Sequence, residues 1–231
     1  RWAFVFSACL ALLAGLLLIW LPASCRFAAN RRLRLAFTGM FAHLADRHLL
    51  GGFLVGLTLF FSFVAIFSYL PFRLEAPPYG FSTLTIGLIY LVYVAGIVSS
   101  PLAGVLARRF GRRAVMVAGL GLALAANLAT LAPGGAWLVI ALLALCFGNF
   151  ATQSAATAYV AEVAQHERAG ASALYLSAYY VGGSLGAFLP GLLWTAYGWP
   201  GVLLLTCGSL ALGMLAALRL CRSRAPRSDN A

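Results

Sequence analysis

Charge is what this chain has least of. Only 9% of its 231 residues are charged, and they divide into sixteen basic and five acidic residues. Lys is absent, so every basic residue is Arg, a compositional hint of a GC-rich genome. No nucleophile–base pair, metal-ligand cluster or phosphate-binding loop stands out, which argues against an enzyme and against a metal or other cofactor. The five Cys (Cys9, Cys25, Cys146, Cys207 and Cys221) have neither disulfide nor metal spacing and read as small apolar residues. His43, His48 and His166 fall in connections, where solvated histidines are the default.

Uncharged apolar residues fill the space instead. Seven long runs are present, roughly Trp2–Leu21, Leu49–Leu70, Leu84–Leu106, Ala114–Leu131, Ala136–Val160, Gly170–Trp194 and Trp199–Leu220. None holds Asp, Glu, Lys or Arg, apart from Arg219 at the tip of the last. A helix rises ~1.5 Å per residue, so about 20 residues cross a ~30 Å hydrocarbon core. A backbone in lipid must satisfy its own hydrogen bonds, which selects helices. The expectation is an all-α membrane protein, a polytopic bundle of seven transmembrane helices.

The polar residues of those runs are unevenly shared. Ser, Thr, Asn, Gln and Tyr number 1, 4, 5, 2, 6, 6 and 2 along the seven. Polar side chains avoid lipid and face protein or a wet cavity. The alternation bland, rich, rich, bland, rich, rich, bland has a period of three helices. It predicts two three-helix units, each with one peripheral helix and two helices bordering something hydrated, as in a transporter built from repeats.

Charge placement predicts orientation and excludes nucleic acid as the partner of the net +11 charge. Fourteen of the sixteen Arg fall in alternate connections or the C-terminal tail, the exceptions being Arg1 and Arg73. The positive-inside rule makes that side cytoplasmic, with the first residue outside and the C-terminus inside. All five Trp lie at or within two residues of a run boundary, the pattern of an interfacial aromatic belt. The outer connections are short and rich in Pro and Gly, leaving no room for an external domain. In the first of them Ser82 or Thr83 can cap the next helix, and Glu75 can pair with Arg73 at the surface.

Domain organisation follows from the same runs. Residues 1–21 read as a helix left over from a preceding half, because a span that starts at once looks like a cut. A signal peptide is the rival reading, but its apolar core is usually shorter, roughly 7–15 residues. Residues 22–48 read as a cytoplasmic linker with a basic amphipathic helix, from Leu33, Phe37, Met40, Phe41 and Leu44 behind Arg31, Arg32 and Arg34. Residues 49–220 form a six-helix domain, and 221–231 a disordered tail.

The sharpest local signal is an inner connection, Gly104-Val-Leu106-Ala107-Arg108-Arg109-Phe110-Gly111-Arg112-Arg113. Two helices reverse here within a few residues, and Gly111 permits the backbone conformation that needs. By charge alone it is an ordinary positive-inside loop. Its spacing resembles the cytoplasmic-loop signature of the major facilitator superfamily, Gly-x-Leu-Ala-Asp-Arg-x-Gly-Arg-Arg. Gly104, Leu106, Ala107, Arg109, Gly111, Arg112 and Arg113 stand at matching places. Arg108 stands where the family carries an Asp, and Arg accepts no hydrogen bonds. The family repeats a weaker copy of this motif between its eighth and ninth helices. The resemblance therefore implies that the seven runs are helices six to twelve of a twelve-helix carrier. It also implies that the rich runs line the cavity and that the loop takes part in the inner gate. Glu162 and Glu167, in the next inner loop, are the expected acidic partners of its arginines.

Stripes on the rich runs give the candidate substrate-cavity residues. Thr58, Ser62 and Tyr69 share one face of the second run; Asn149, Gln153 and Thr157 share one on the fifth. Tyr90 and Tyr93 on the third, and Tyr175 and Tyr179 on the sixth, lie about one turn apart. Each alone reads equally well as an interhelical hydrogen bond. As a set they suggest a charge-free, aromatic-walled cavity for a neutral or amphipathic small molecule. Gly182 and Gly186 make a close-packing face, which Pro190 follows as a bending point. No acid or base lies deep in a run, so if the carrier uses protons, the key acid is expected in the missing N-terminal half. The implied function is secondary transport by alternating access, leaning to efflux or antiport. Its partners are the lipid bilayer, a small-molecule substrate and the other half of the carrier. Sugar uptake is the rival within the family, and a complete seven-span enzyme or receptor-like protein the rival outside it.

Overall fold

The structure is a computed structural model that describes residues 2–20, 43–164 and 167–222. The chain divides into two units, residues 1–33 and 34–231. In the first, α1 covers Trp2–Ile19, eighteen residues without a charge. In the second, a 3₁₀ turn at His43–Ala45 precedes α2 (Arg47–Glu75), α3 (Thr83–Ile89), a 3₁₀ segment Tyr90–Val94, and α4 (Ala95–Phe110). Then follow α5 (Arg112–Ala129), α6 (Gly135–Val163), α7 (Arg168–Tyr197) and α8 (Trp199–Arg219). The described residues contain no strand.

Among the described residues, five stretches are long and apolar enough to cross a bilayer: Arg47–Glu75, Thr83–Phe110, Arg112–Ala129, Gly135–Val163 and Arg168–Arg219. The last holds both α7 and α8, which turn at Gly198 with φ 58°. Gly111 turns α4 into α5 with φ 86°, in the left-handed region where a side chain is strained. Ser82 caps α3 by accepting from the Thr85 amide, as its sequence position suggested. Helix α2 outruns its apolar stretch at both ends. Asp46 caps its start by accepting from the His48 amide at 2.8 Å, so the helix begins before Leu49. Most of the expected linker helix, and residues 223–231 of the tail, lie outside the described residues.

Two apolar clusters fill the second unit, one at each end of α2. Leu49, Phe53, Leu59, Met116, Leu120 and Leu210 belong to the first. Ile66, Leu70, Leu74, Leu138, Leu142 and Val202 belong to the second. Lipid tails are as apolar as these side chains, so close packing rather than water exclusion must hold the helices together. Small residues provide it. A methyl group on Gly182 or Gly186 would collide with the Leu57 or Phe61 carbonyl of α2. Gly119 of α5 and Gly148 of α6 meet in the same way, and Gly213 of α8 rests on Thr58. Pro190 is buried in α7 one turn beyond Gly186.

Hydrogen bonds tie the sparsely polar helices α5 and α8 together. Asn127 Nδ2 donates to Thr206 Oγ1 at 2.7 Å, with both residues fully buried. Trp199 Nε1 donates to Thr130 Oγ1 at 3.0 Å. Trp199 is therefore core, which corrects the interfacial reading for this one Trp. Arg73 does not turn to Glu75; it donates to the Thr130 carbonyl at 2.7 Å and stacks 4.7 Å from the Trp199 ring. His48 also departs from expectation, with Nδ1 lying 2.6 Å from the Leu220 carbonyl rather than in solvent.

Candidate functional site

Aromatic rings join the four polar-rich stretches of the chain. Tyr179 of α7 lies flat on Phe60 of α2, with centroids 3.9 Å apart and planes within 10°. Tyr175 continues the row 6.2 Å below Tyr179, and Tyr180 meets Phe60 edge-on at 5.9 Å. On α2, Phe60, Phe63 and Phe67 recur at helical spacing and share a face. Phe63 reaches Tyr93 at 5.3 Å and Phe150 of α6 at 5.6 Å. Phe67 reaches Tyr93 at 4.7 Å and Tyr90 at 5.6 Å. Offset and edge-on pairs at these spacings contribute about 0.5–1.5 kcal/mol beyond their burial.

The backbone positions these rings. Where Tyr90 and Tyr93 project, the helix tightens to 3₁₀ between α3 and α4. Mid-helix 3₁₀ segments often mark hinges. Tyr90 donates its hydroxyl to the Phe67 carbonyl at 2.8 Å, anchoring this segment to α2. Tyr175 is buried against Gly56, whose missing side chain makes room for the ring. Its hydroxyl donates to Gln153 Oε1 at 2.8 Å, which ties α7 to α6.

The remaining candidates scatter around the wall. Asn149 is buried, Gln153 half-buried and Thr157 exposed, so their stripe runs from core to surface along α6. Thr157 donates to the Gln153 and Ser154 carbonyls of its own helix. Thr58 is buried against Gly213 and donates to the Leu54 carbonyl; Ser62 is buried nearby on α2. Tyr69 stands farther along, donating to the Ala187 carbonyl at 3.2 Å beside Trp194. The phenylalanines of the wall carry no polar signal in the sequence. Their signal is the spacing of Phe60, Phe63 and Phe67 on α2.

The α4–α5 turn forms a second centre. Gly104 has open space around it, and Leu106 packs on the core edge. Arg112 Nε lies 2.9 Å from Glu162 Oε2, and the same guanidinium donates to the Ala158 carbonyl near the end of α6. Arg113 donates to the Leu218 carbonyl of α8 at 2.6 Å. Both arginines thus meet the negative end of a helix, the favourable place for a cation. Arg108 and Arg109 are exposed, Arg109 lying 5.2 Å from the Phe110 ring. No group of His, Cys, Asp and Glu able to hold a metal occurs among the described residues.

The family model described as Major Facilitator Superfamily matches residues 76–231. The chain belongs to the major facilitator superfamily. Two bacterial relatives agree with that placement. The "Inner membrane transport protein YnfM" of Escherichia coli is 36% identical over 96% of this chain and 54% of its own length. The "Uncharacterized MFS-type transporter YybF" of Bacillus subtilis is 35% identical over 87% of this chain and 49% of its own. The chain spans about half the length of the curated relatives it matches. A facilitator-family chain with these apolar helices is an integral membrane protein.

Proposed function

We propose that the chain is the C-terminal portion of a secondary transporter, helices six to twelve of a twelve-helix carrier in a bacterial inner membrane. In this reading α1 is the sixth helix and α2 the seventh, while α3, the 3₁₀ segment and α4 together are the eighth. Helices α5 to α8 are the ninth to twelfth, in two three-helix repeats with the C-terminus cytoplasmic. Transport proceeds by alternating access, with two halves rocking about a central site. The solute is a small neutral or amphipathic organic molecule, and the direction is efflux or antiport.

One observation carries this reading. The aromatic wall connects the four polar-rich stretches, through Phe60, Phe63, Tyr93, Phe150 and Tyr179. Rings supply broad apolar contact at little conformational cost, and neighbouring hydroxyls and amides orient a solute. Tyr90, Tyr175 and Gln153 supply hydrogen-bonding groups beside the rings. The inner-gate role falls to the α4–α5 turn, where Glu162 supplies the acid that Arg108 does not.

The test is flux of a substrate panel through the twelve-helix parent, with and without a proton gradient. Gradient-dependent export of apolar or aromatic solutes is expected, and none from proteoliposomes holding this chain alone. Selective sugar uptake would overturn the efflux reading. Flux through the isolated chain would overturn the half-carrier reading.

A further inference from the structure

The α4–α5 turn splits its four arginines into two pairs. Arg112 and Arg113 are engaged by Glu162 and by carbonyls of α6 and α8. Arg108 and Arg109 are exposed at the end of α4. Directly along the helix from Arg109 runs an apolar stripe. Val98, Leu102 and Val105 are 59%, 39% and 51% exposed. With Arg109 they stand at successive spacings of four, three and four residues, which keeps them on one face. Phe110 beside them is 56% exposed.

We propose that this face binds an anionic phospholipid, with Arg109 and Arg108 on the headgroup phosphate and Val98, Leu102 and Val105 along an acyl chain. The length of the two parts matches. From Val98 to Arg109 is eleven residues, about 16 Å of helix, roughly one leaflet of a ~30 Å core. Charge complementarity selects the headgroup, because no acid lies within the turn sequence. Guanidinium groups bind phosphate through paired N–H donors, and Phe110 supplies an aromatic ring at the depth of the interface. Arg108 strengthens the site: an Asp in its place would repel the phosphate. The binding stands apart from solute transport and does not rest on the cavity reading.

Lipid retention by the purified chain, read by native mass spectrometry, tests it. The probes are phosphatidylglycerol and phosphatidylcholine of the same chain length. Phosphatidylglycerol should be retained preferentially, and its retention should fall about fivefold for each of Arg108→Gln and Arg109→Gln. Retention should also weaken as salt rises. Arg222→Gln, an exposed basic position on a different segment just past α8, is the control and should leave it unchanged. Circular dichroism should show helix retained in all variants, which separates lost binding from lost folding. Equal retention of the two lipids, or equal loss in Arg222→Gln, would overturn the proposal. So would unchanged retention in Arg108→Gln/Arg109→Gln, which would place the retained phosphatidylglycerol elsewhere on the chain.

Discussion

Arg112 Nε and Glu162 Oε2 lie 2.9 Å apart, joining the start of α5 to the end of α6. Both side chains are about one-third exposed, at 33% and 32%, so water screens the pair. Glu162→Gln should therefore cost no more than about 1 kcal/mol of thermal stability. Glu162→Arg should cost more, because it sets a fifth Arg against the four of the turn. Restoring the pair in reversed order with Arg112→Glu should recover part of that loss. A double-mutant cycle on melting temperature measures the coupling; additivity would show that the contact is incidental.

A steric prediction concerns α7. Gly186→Ala and Gly182→Ala place a methyl against backbone carbonyls of α2, which no rotamer change can relieve. Overpacking of this kind costs about 1–3 kcal/mol. Gly208→Ala and Gly104→Ala are the matched controls, since a methyl there meets nothing within 4 Å. Both should be neutral or slightly stabilising, because Ala favours helix over Gly. Thermal unfolding in detergent checks all four; equal effects at the four positions would mean that α2 and α7 do not pack at these glycines.

The opposite end of α2 depends on Arg73. Arg73→Ala removes the bond to the Thr130 carbonyl and the cation over Trp199, and should destabilise by about 1–3 kcal/mol. Arg73→Lys keeps the charge but lacks the flat guanidinium, and should recover only part. Trp199→Phe loses the bond to Thr130 Oγ1 but keeps a ring, so it should fall between wild type and Arg73→Ala. If Arg73→Ala melts like wild type, the cluster contributes nothing.

These contacts mark the limit of what the sequence discloses. Helices, the Gly111 reversal and the Ser82 cap follow from local chemistry, and all are legible. Arg73 and Trp199 are 126 positions apart, and nothing near either names the other. The nearby acid Glu75 does not meet Arg73, since residues two apart on a helix do not face each other. Spacing puts Tyr175 and Tyr179 on one face of α7, but polarity does not single out Phe60 and Phe150, whose partners only packing shows. The 3₁₀ segment Tyr90–Val94 has no distinguishing composition, as α and 3₁₀ windings accept the same residues. Spacing shows which residues share a face, and only packing shows what that face meets.

Burial controls the reactivity of Cys221, just past the end of α8. It pushes the thiol up to about 11, and the Tyr159 hydroxyl and the Arg113 charge offset this only in part. The thiolate is the reactive form, so the native thiol should resist maleimide at pH 7.5. Labelling should accelerate as pH rises towards 11, and should become fast at pH 7.5 once detergent denaturation exposes it. Mass spectrometry of the labelled peptide follows both. Rapid native labelling at pH 7.5 would mean that the segment pinned by Tyr159 to the Arg222 amide at 2.9 Å opens freely.

The stacked pair Phe60–Tyr179 gives the most direct test of the aromatic wall. If a solute rests on these rings, shape and area matter and the hydroxyl of Tyr179 does not. Tyr179→Phe should then leave KM within about twofold in the proposed twelve-helix carrier. Tyr179→Ala removes a ring worth about 0.5–1.5 kcal/mol in stacking alone, and should raise KM up to about tenfold with little change in maximal rate. A structural effect would behave differently, lowering protein yield and maximal rate while leaving KM unchanged. Gln153→Ala frees the Tyr175 hydroxyl and tests the neighbouring polar group, with a smaller KM change expected. Flux measured against solute concentration separates the two cases, and an unchanged KM in Tyr179→Ala would remove Tyr179 from the binding surface.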